Sequence, residues 1–331
     1  MARGDALEAD GRLLEAIDAL TRANRLARQP DVERRLPRLR HAAFAQIDRS
    51  EAPPWPVVEP DPSCATPNFP VLRPEELTPE VLSTGIHAYG YVHVQRLIPE
   101  SFVAGLVTGI DRAIAAADAH AGGQSSDETK SWFEPLKPGP GYSVGVKRKF
   151  VRESGGVWTG DSPRMLFDVL EAFEAVGLGQ VIEAYLGERP ALSLNKSTLK
   201  CLDRLTTQDW HQDGAFLGDG IRTVNAWMSL SHCGVDAPGL ELVPKRMDRV
   251  LETGTEGAAF NWSVGPALVA RVAPDAPPIR PVFAPGDVLL FDDLFLHRTS
   301  FDPTMTGKRY AIETWFFAPS LYPAGQIPIA F

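Results

Sequence analysis

The chain has 331 residues, and it is poor in cysteine, in long apolar runs and in positive charge. Its three cysteines, Cys64, Cys201 and Cys233, are odd in number and show no C-x-x-C spacing. That argues against a disulfide framework or a thiolate metal site and predicts reduced thiols in a cytosol. No uninterrupted apolar run approaches the roughly 20 residues that span a bilayer. The opening residues, Met1-Ala2-Arg3-Gly4-Asp5, lack the apolar core of a signal peptide. A cytoplasmic protein with no membrane partner is the expectation. Lys and Arg number 33 against 42 Asp and Glu, a formal net charge of −9. Nucleic acid is therefore not the expected partner, because backbone phosphates attract basic surfaces. There is no internal repeat and no low-complexity tract. What is present is a globular composition, 44% hydrophobic and 23% charged, enough to bury a sizeable core without a staple.

Three regions follow from the pattern along the chain. Residues 1–50 read as a helical extension, with Leu13, Ile17 and Leu20 on one stripe and Pro30 and Pro37 as punctuation. The extension either packs on the main domain or serves as an oligomer arm. Residues 51–77 read as an irregular linker, because proline at this density precludes a regular helix or a central strand. Residues 78–331 read as one domain. Its first half alternates helices (from Thr78-Pro79, from Pro99 and over 164–186) with a strand at 89–94 and long loops over 121–160. From about residue 190 short strands take over, expected at 191–203, 223–231, 239–244, 280–283, 287–296 and 308–317. Helices first and strands last predict a mainly β fold, a barrel or sandwich core buttressed by helices. Lys147, Arg148, Lys149 and Arg152 form a basic run, read as a solvated strand face or as an anchor for an anionic substrate group.

The chemistry concentrates in Trp210-His211-Gln212-Asp213. On an extended strand a His-x-Asp pair puts both side chains on one face. His297 closes the apolar run Val288-Leu289-Leu290-Phe291, and Arg309 opens the next strand. Two imidazoles and one carboxylate can hold a ferrous ion by one face and leave the other positions open. Any one of the seven histidines is weak evidence by itself. His232, which follows the strand Trp227-Met228-Ser229-Leu230, is read as structural.

The segment Trp210-His211-Gln212-Asp213-Gly214-Ala215-Phe216 resembles the metal motif of the phytanoyl-CoA dioxygenase (PhyH-like) family of iron(II)/2-oxoglutarate-dependent oxygenases. Gly239-Leu240-Glu241-Leu242-Val243-Pro244-Lys245 is similar to a second family segment, with Lys245 where a glycine is usual. Pro285-Gly286-Asp287-Val288-Leu289-Leu290-Phe291 resembles the strand leading to the distal histidine. His297, Thr299 and Arg309 match the closing His-x-Ser/Thr…Arg pattern. The resemblance covers roughly residues 78 to 318.

It implies a double-stranded β-helix (jelly-roll, cupin-like) core. It implies His211, Asp213 and His297 as Fe(II) ligands, with 2-oxoglutarate and O2 completing the site. Arg309 would grip the far carboxylate of 2-oxoglutarate, Thr299 would add a hydroxyl and Trp227 would line the pocket. Lys200 is a further candidate cation there. The implied reaction couples conversion of 2-oxoglutarate to succinate and CO2 with oxidation of a small-molecule substrate. Asp213 favours hydroxylation over halogenation, since related halogenases lack this carboxylate. Substrate specificity would lie in the loops 121–160 and 246–279, where Trp132, Phe133, Tyr142, Trp158 and Trp262 are candidate pocket walls. The rival expectations are a cupin-type metal enzyme that does not use 2-oxoglutarate and a non-catalytic binding module on the same fold.

Overall fold

The computed structural model describes every residue except Gly141, Ser143 and 203–208. Among the described residues there are eleven strands: β1 (Val71–Leu72), β2 (Tyr91–Val94), β3 (Gly156–Trp158), β4 (Ala191–Ser193), β5 (Thr198–Leu202), β6 (Thr223–Ser229), β7 (Gly239–Arg246), β8 (Val288–Phe291), β9 (Phe295–Ser300), β10 (Arg309–Phe317) and β11 (Pro328–Ala330). The larger sheet runs β1-β2-β8-β6-β10. Beyond β10 it divides. Phe316 and Phe317 pair with β4, followed by β11, while Arg309–Glu313 pair with β5, followed by β3. The smaller sheet pairs β7 with β9. Single bridges extend it on either side, His211 to His297 and Leu242 to Ile279.

The two sheets enclose a ring-rich core that includes Trp227, Phe283, Phe291, Phe295 and Trp315. This is the expected jelly-roll core with helical buttresses. β8, with the sequence Val-Leu-Leu-Phe, is buried at every position. It lies centrally between β2 and β6, covered on both faces, which is why its sequence does not alternate. The outer face of the larger sheet packs against the helices Glu100–Ala121, Pro163–Ala175 and Leu178–Leu186 through residues such as Leu106, Ile110, Phe173 and Ile182. Among the described residues no helix is long and apolar enough to cross a membrane.

The N-terminal residues form helices Ala2–Ala9, Leu13–Leu26 and Pro30–Ala43. Ile17, Leu20, Val32, Leu36 and Leu39 pack with Phe167 and Ala330, so these helices lie as a layer against the rest of the chain. Glu33 is fully buried there, held by Arg28 at 2.7 Å and Arg164 at 3.0 Å. Without those partners a buried carboxylate would be strongly destabilising.

Several sequence expectations are corrected. The strand expected at 287–296 is two strands in different sheets, because the chain turns at Asp292–Leu294 and crosses from β8 to β9. The strand expected at 191–203 is broken by a turn at Leu194–Lys196, and its last residue, Asp203, lies outside the described residues. Residues 280–283 form only an isolated bridge, Cys233 to Phe283. Pro281 has no N–H to give to a ladder. Within the expected loops 121–160 the chain forms helices Asp127–Trp132 and Gly145–Glu153 as well as β3; Gly141 and Ser143 lie outside the described residues.

The turn into β8 is held by two devices. Gly286 has φ +91°, and a Cβ there would meet the Ile98 carbonyl oxygen at 2.4 Å, so only glycine fits. Asp287 accepts from the backbone N–H of Arg96 (2.8 Å) and of Ala284 (2.9 Å), and its Oδ2 lies 3.0 Å from His93 Nε2.

Two outcomes are expected. Leu20→Ala, at a fully buried position, should lower the unfolding free energy by about 2–5 kcal/mol in urea titration. A loss below half a kcal/mol would show that the N-terminal layer is not part of the cooperative unit. Burial would raise the Asp287 carboxyl, but the His93 contact and the two backbone donors outweigh it and hold the group below the ordinary carboxylate range. Its stabilisation is therefore present above the unfolded value, about 3.9, and is lost as pH falls through the folded value. Asp287→Asn should be less stable than the parent at pH 7, and the gap should narrow on acidification below about pH 4. A gap unchanged at pH 3 would contradict this.

Candidate metal centre

The sheets bring His211 and His297 together through their backbones. His211 N–H donates to His297 O at 3.0 Å and His297 N–H returns to His211 O at 3.1 Å. The two rings then lie with centroids 4.4 Å apart. His297 belongs to β9, not to the end of β8, and its ring packs against both Phe291 and Phe295. The strand geometry expected for His211-Gln212-Asp213 is also corrected. His211 makes a single bridge, and the chain then enters a helical turn, with Asp213 at φ −65° and ψ −24° ahead of the helix Gly214–Leu217.

Gln212 points away from the pair. It donates to the carbonyls of Leu294 (2.7 Å) and Arg249 (3.1 Å) and accepts from Leu251 N–H (2.7 Å). This pins the connection that follows β7 to the turn before β9. Gly214 lets the turn close, since its N–H reaches Asp293 O at 2.9 Å and a Cβ there would meet Val250 and Asp293 at 2.8–3.2 Å.

One donor atom from each of His211, Asp213 and His297 lies within 4.8 Å of the others. Each imidazole presents its Nδ1 to a backbone carbonyl, His211 to Asp209 O (2.9 Å) and His297 to Phe295 O (3.1 Å). A carbonyl only accepts, so Nδ1 carries the proton and Nε2 keeps its lone pair. This is the tautomer a metal takes up. The Nε2 of His297 lies 3.8 Å from Asp213 Oδ2. That oxygen is buried with no hydrogen-bond partner among the described residues, while Oδ1 holds Lys196 Nζ at 2.8 Å. An orphaned carboxylate oxygen facing two imidazole lone pairs fits a divalent cation.

The charges agree with that fit. Burial would raise the Asp213 carboxyl, but Lys196, His211 and His297 outweigh it and hold the group well below the usual carboxylate range. Burial, then the neighbouring His211, push His297 down to about 4, so its ring is neutral around pH 7.

Arg309 is 2% exposed. Its Nη1 donates to Gly239 O at 2.9 Å, its Nε has no hydrogen-bond partner among the described residues, and its guanidinium lies 5.9 Å from the centre of the Trp227 ring. Burial lowers its pKa. Trp227 is buried edge-on against Phe283. Thr299 is buried two residues beyond His297 on β9, opposite Leu240. Lys200 is ion-paired with Glu313 at 3.6 Å. Glu313 in turn takes Thr198 (3.2 Å), Asn225 (3.3 Å) and Trp315 Nε1 (3.2 Å).

Lys196, Asp209 and Glu313 were not singled out by sequence reasoning. Asp209, two residues before His211, carried a weak positional signal. Lys196 and Glu313 carried none, because their contacts are made across strands.

Other candidates lie elsewhere. The basic run is part of the helix Gly145–Glu153, not a strand. Arg148 is bound to Asp161 at 2.7 and 2.9 Å and Arg152 to Asp118 at 2.7 Å, so these two guanidinia are structural. Of the five candidate wall aromatics, only Trp262 adjoins His211, at 6.1 Å between ring centroids. Trp132 packs under Arg112 and Arg164, Trp158 under Arg148, Phe133 against His120 and Tyr142 against His41. His232 is exposed and outside the triad. Lys245 reaches back to Val272 O at 3.2 Å, at the end of the helix Pro266–Val272.

The phytanoyl-CoA dioxygenase (PhyH) family profile matches residues 86–304, more than half of the chain and all of the triad. The chain belongs to the phytanoyl-CoA dioxygenase family. Among solved structures, this PhyH-family chain is similar to EctD from S. alaskensis with 2-oxoglutarate and 5-hydroxyectoine, at 18% identity and a TM-score of 0.53 over 82% of this chain and 84% of that one. EctD from S. alaskensis with bound Fe gives 17% identity and a TM-score of 0.52 over 82% and 85%. At this identity the likeness establishes the shared fold. A comparison with curated proteins finds no match.

His211→Ala should lower Fe(II) affinity by more than about 100-fold in anaerobic titration while leaving the unfolding midpoint near that of the parent. Unchanged affinity would remove His211 from the ligand set.

Proposed function

We propose that the protein is an Fe(II)- and 2-oxoglutarate-dependent dioxygenase that hydroxylates an unactivated C–H bond of a small-molecule substrate. The observation that carries this reading is the buried, unpartnered Asp213 Oδ2 set beside two imidazoles whose tautomers are already fixed. Family membership supplies the class, an oxygenase using Fe(II), 2-oxoglutarate and O2.

In this reading His211, Asp213 and His297 hold the metal. Arg309 receives the far carboxylate of 2-oxoglutarate. Its unpartnered Nε and its burial support that role, because a desolvated guanidinium binds a carboxylate by charge-assisted hydrogen bonds. Thr299 is assigned a hydroxyl contact from the same face of β9 as His297, and Trp227 the wall beside Arg309. Lys200, already engaged by Glu313, is given the lesser part of a second cation near the co-substrate. Held by these residues, Fe(II) would supply the conversion of 2-oxoglutarate and dioxygen to succinate and CO2, with the second oxygen atom going to the substrate. The chain's own work is orientation and exclusion of water. Phe291 and Phe295 pack around His297 and keep solvent from that side. Lys196 on Oδ1 holds the carboxylate so that Oδ2 faces the imidazoles. The presence of Asp213 as a third protein ligand supports hydroxylation over halogenation.

Succinate release that depends on added 2-oxoglutarate and Fe(II), with substrate recovered carrying one further oxygen, is the expected result. Release that continues without 2-oxoglutarate would favour a metal enzyme of another type. Arg309→Ala should weaken 2-oxoglutarate binding by on the order of 100-fold while Fe(II) affinity changes far less. An unchanged co-substrate affinity would show that another cation does this work.

A further inference from the structure

Two large apolar side chains stand exposed on the His211 side of the metal centre, Phe216 beside His211 at 45% and Phe260 one ring further out at 42%. They are part of one continuous set of rings. Phe260 stacks on Trp262 with centroids 5.0 Å apart and planes within 5°. Trp262 meets Phe216 at 5.8 Å and His211 nearly edge-on at 6.1 Å. Phe216 lies 6.5 Å from His211, and Lys196 Nζ sits over its ring at 5.0 Å. The rings come from two segments distant in sequence, one carrying His211 and Asp213 and the other residues 259–264.

The two segments are joined by polar bonds as well as by the rings. Asp209 Oδ2 accepts from Ala259 N–H at 2.9 Å and from the Ser263 hydroxyl at 3.0 Å. Val264 N–H donates to Trp210 O at 2.8 Å. Asp209 also offers its own carbonyl to His211 Nδ1. The same residue therefore fixes a metal-side imidazole and the loop that bears Phe260 and Trp262. With the loop already anchored this way, holding the Phe260 ring partly in water adds little to folding. Exposed apolar surface continuous with a reaction centre marks a ligand surface.

We propose that Phe216, Trp262 and Phe260 form the platform on which the prime substrate lies, and that this substrate carries a flat, ring-bearing apolar body. The proposal rests on the metal-dependent oxygenase reading for the word substrate. The near-parallel Phe260–Trp262 pair favours a planar partner, since offset-stacked and edge-on ring contacts add to simple area burial. An acyclic chain gains the area alone. Asp209 is a positioning residue for the platform.

The test is a calorimetric titration of the full chain with 2-naphthol and, as an acyclic apolar control, 1-octanol. Fe(II) affinity is measured separately on each protein. The parent should bind 2-naphthol more tightly than 1-octanol. Phe260→Ala, at an exposed position, should weaken 2-naphthol binding roughly two- to tenfold and keep its Fe(II) affinity. Equal 2-naphthol binding by parent and variant, 1-octanol binding as tight as 2-naphthol, or no 2-naphthol binding at all would each overturn the platform. A parent chain that binds 2-naphthol but no Fe(II) would overturn the metal assignment instead.

Discussion

The paired backbone hydrogen bonds between His211 and His297 are the contact on which the site depends. They join two residues far apart in sequence through groups that every residue carries, so the register of β9 decides where His297 points. β9 is fixed in turn by its pairing with β7, where His297 lies opposite Leu242. A slip of one residue would reverse every side chain of β9 and send His297 to the other face. Gln212 guards against this. Its amide ties the His211 segment to the turn before β9 and to the residues following β7 at once. The imidazoles are then finished locally, each Nδ1 held by a carbonyl two residues earlier in its own segment.

The electrostatics of the barrel follow from what is buried around that contact. Asp213 and Arg309 are buried and Lys196, Lys200 and Glu313 half-buried, so an unpaired charge at the first two would be expensive. Asp213 is balanced by Lys196 and Glu313 by Lys200 together with three neutral donors. Arg309 by comparison donates to the Gly239 carbonyl and lies against the Trp227 face, with Cys233 and Glu313 near enough to favour its charge. Two buried polar atoms with no hydrogen-bond partner among the described residues, Asp213 Oδ2 and Arg309 Nε, are those to which the proposed function gives the metal and the co-substrate. The helical layers cover the outer face of the larger sheet, and the N-terminal helices reach Phe167 and Ala330 from outside.

Much of the site was legible because its residues carry strong local patterns. His211-Gln212-Asp213, the Pro285-Gly286-Asp287 turn, the apolar run of β8 and the His297…Thr299…Arg309 spacing all lie in short stretches whose residue types are chemically demanding. The errors fell where a local pattern has two three-dimensional solutions. Apolar residues from 288 to 296 read as one strand, yet Asp292 breaks the run. It bonds Leu294 N–H at 3.1 Å and Arg246 at 2.6 Å as the chain crosses between sheets. The basic residues 147–152 carry no mark that tells helix from strand, and Asp161 and Asp118 decide which charges are used internally. Four of the five loop aromatics proved to be packing residues, because an aromatic side chain serves a core and a ligand equally well.

By itself the sequence pointed to a β barrel or sandwich core from its order of elements, and its resemblance to a family pointed to the jelly-roll class, to the three candidate ligands and to Arg309 on β10 as the candidate cation. Only the tertiary structure decided which donors meet. It chose Lys196 as the counter-ion of Asp213, Asp209 as the link between His211 and the loop of Trp262, and Glu313 as the partner of Lys200. The physical reason is that cross-strand and loop-to-strand contacts are set by register and by buried hydrogen bonding between distant segments, which leave no period in the chain to read.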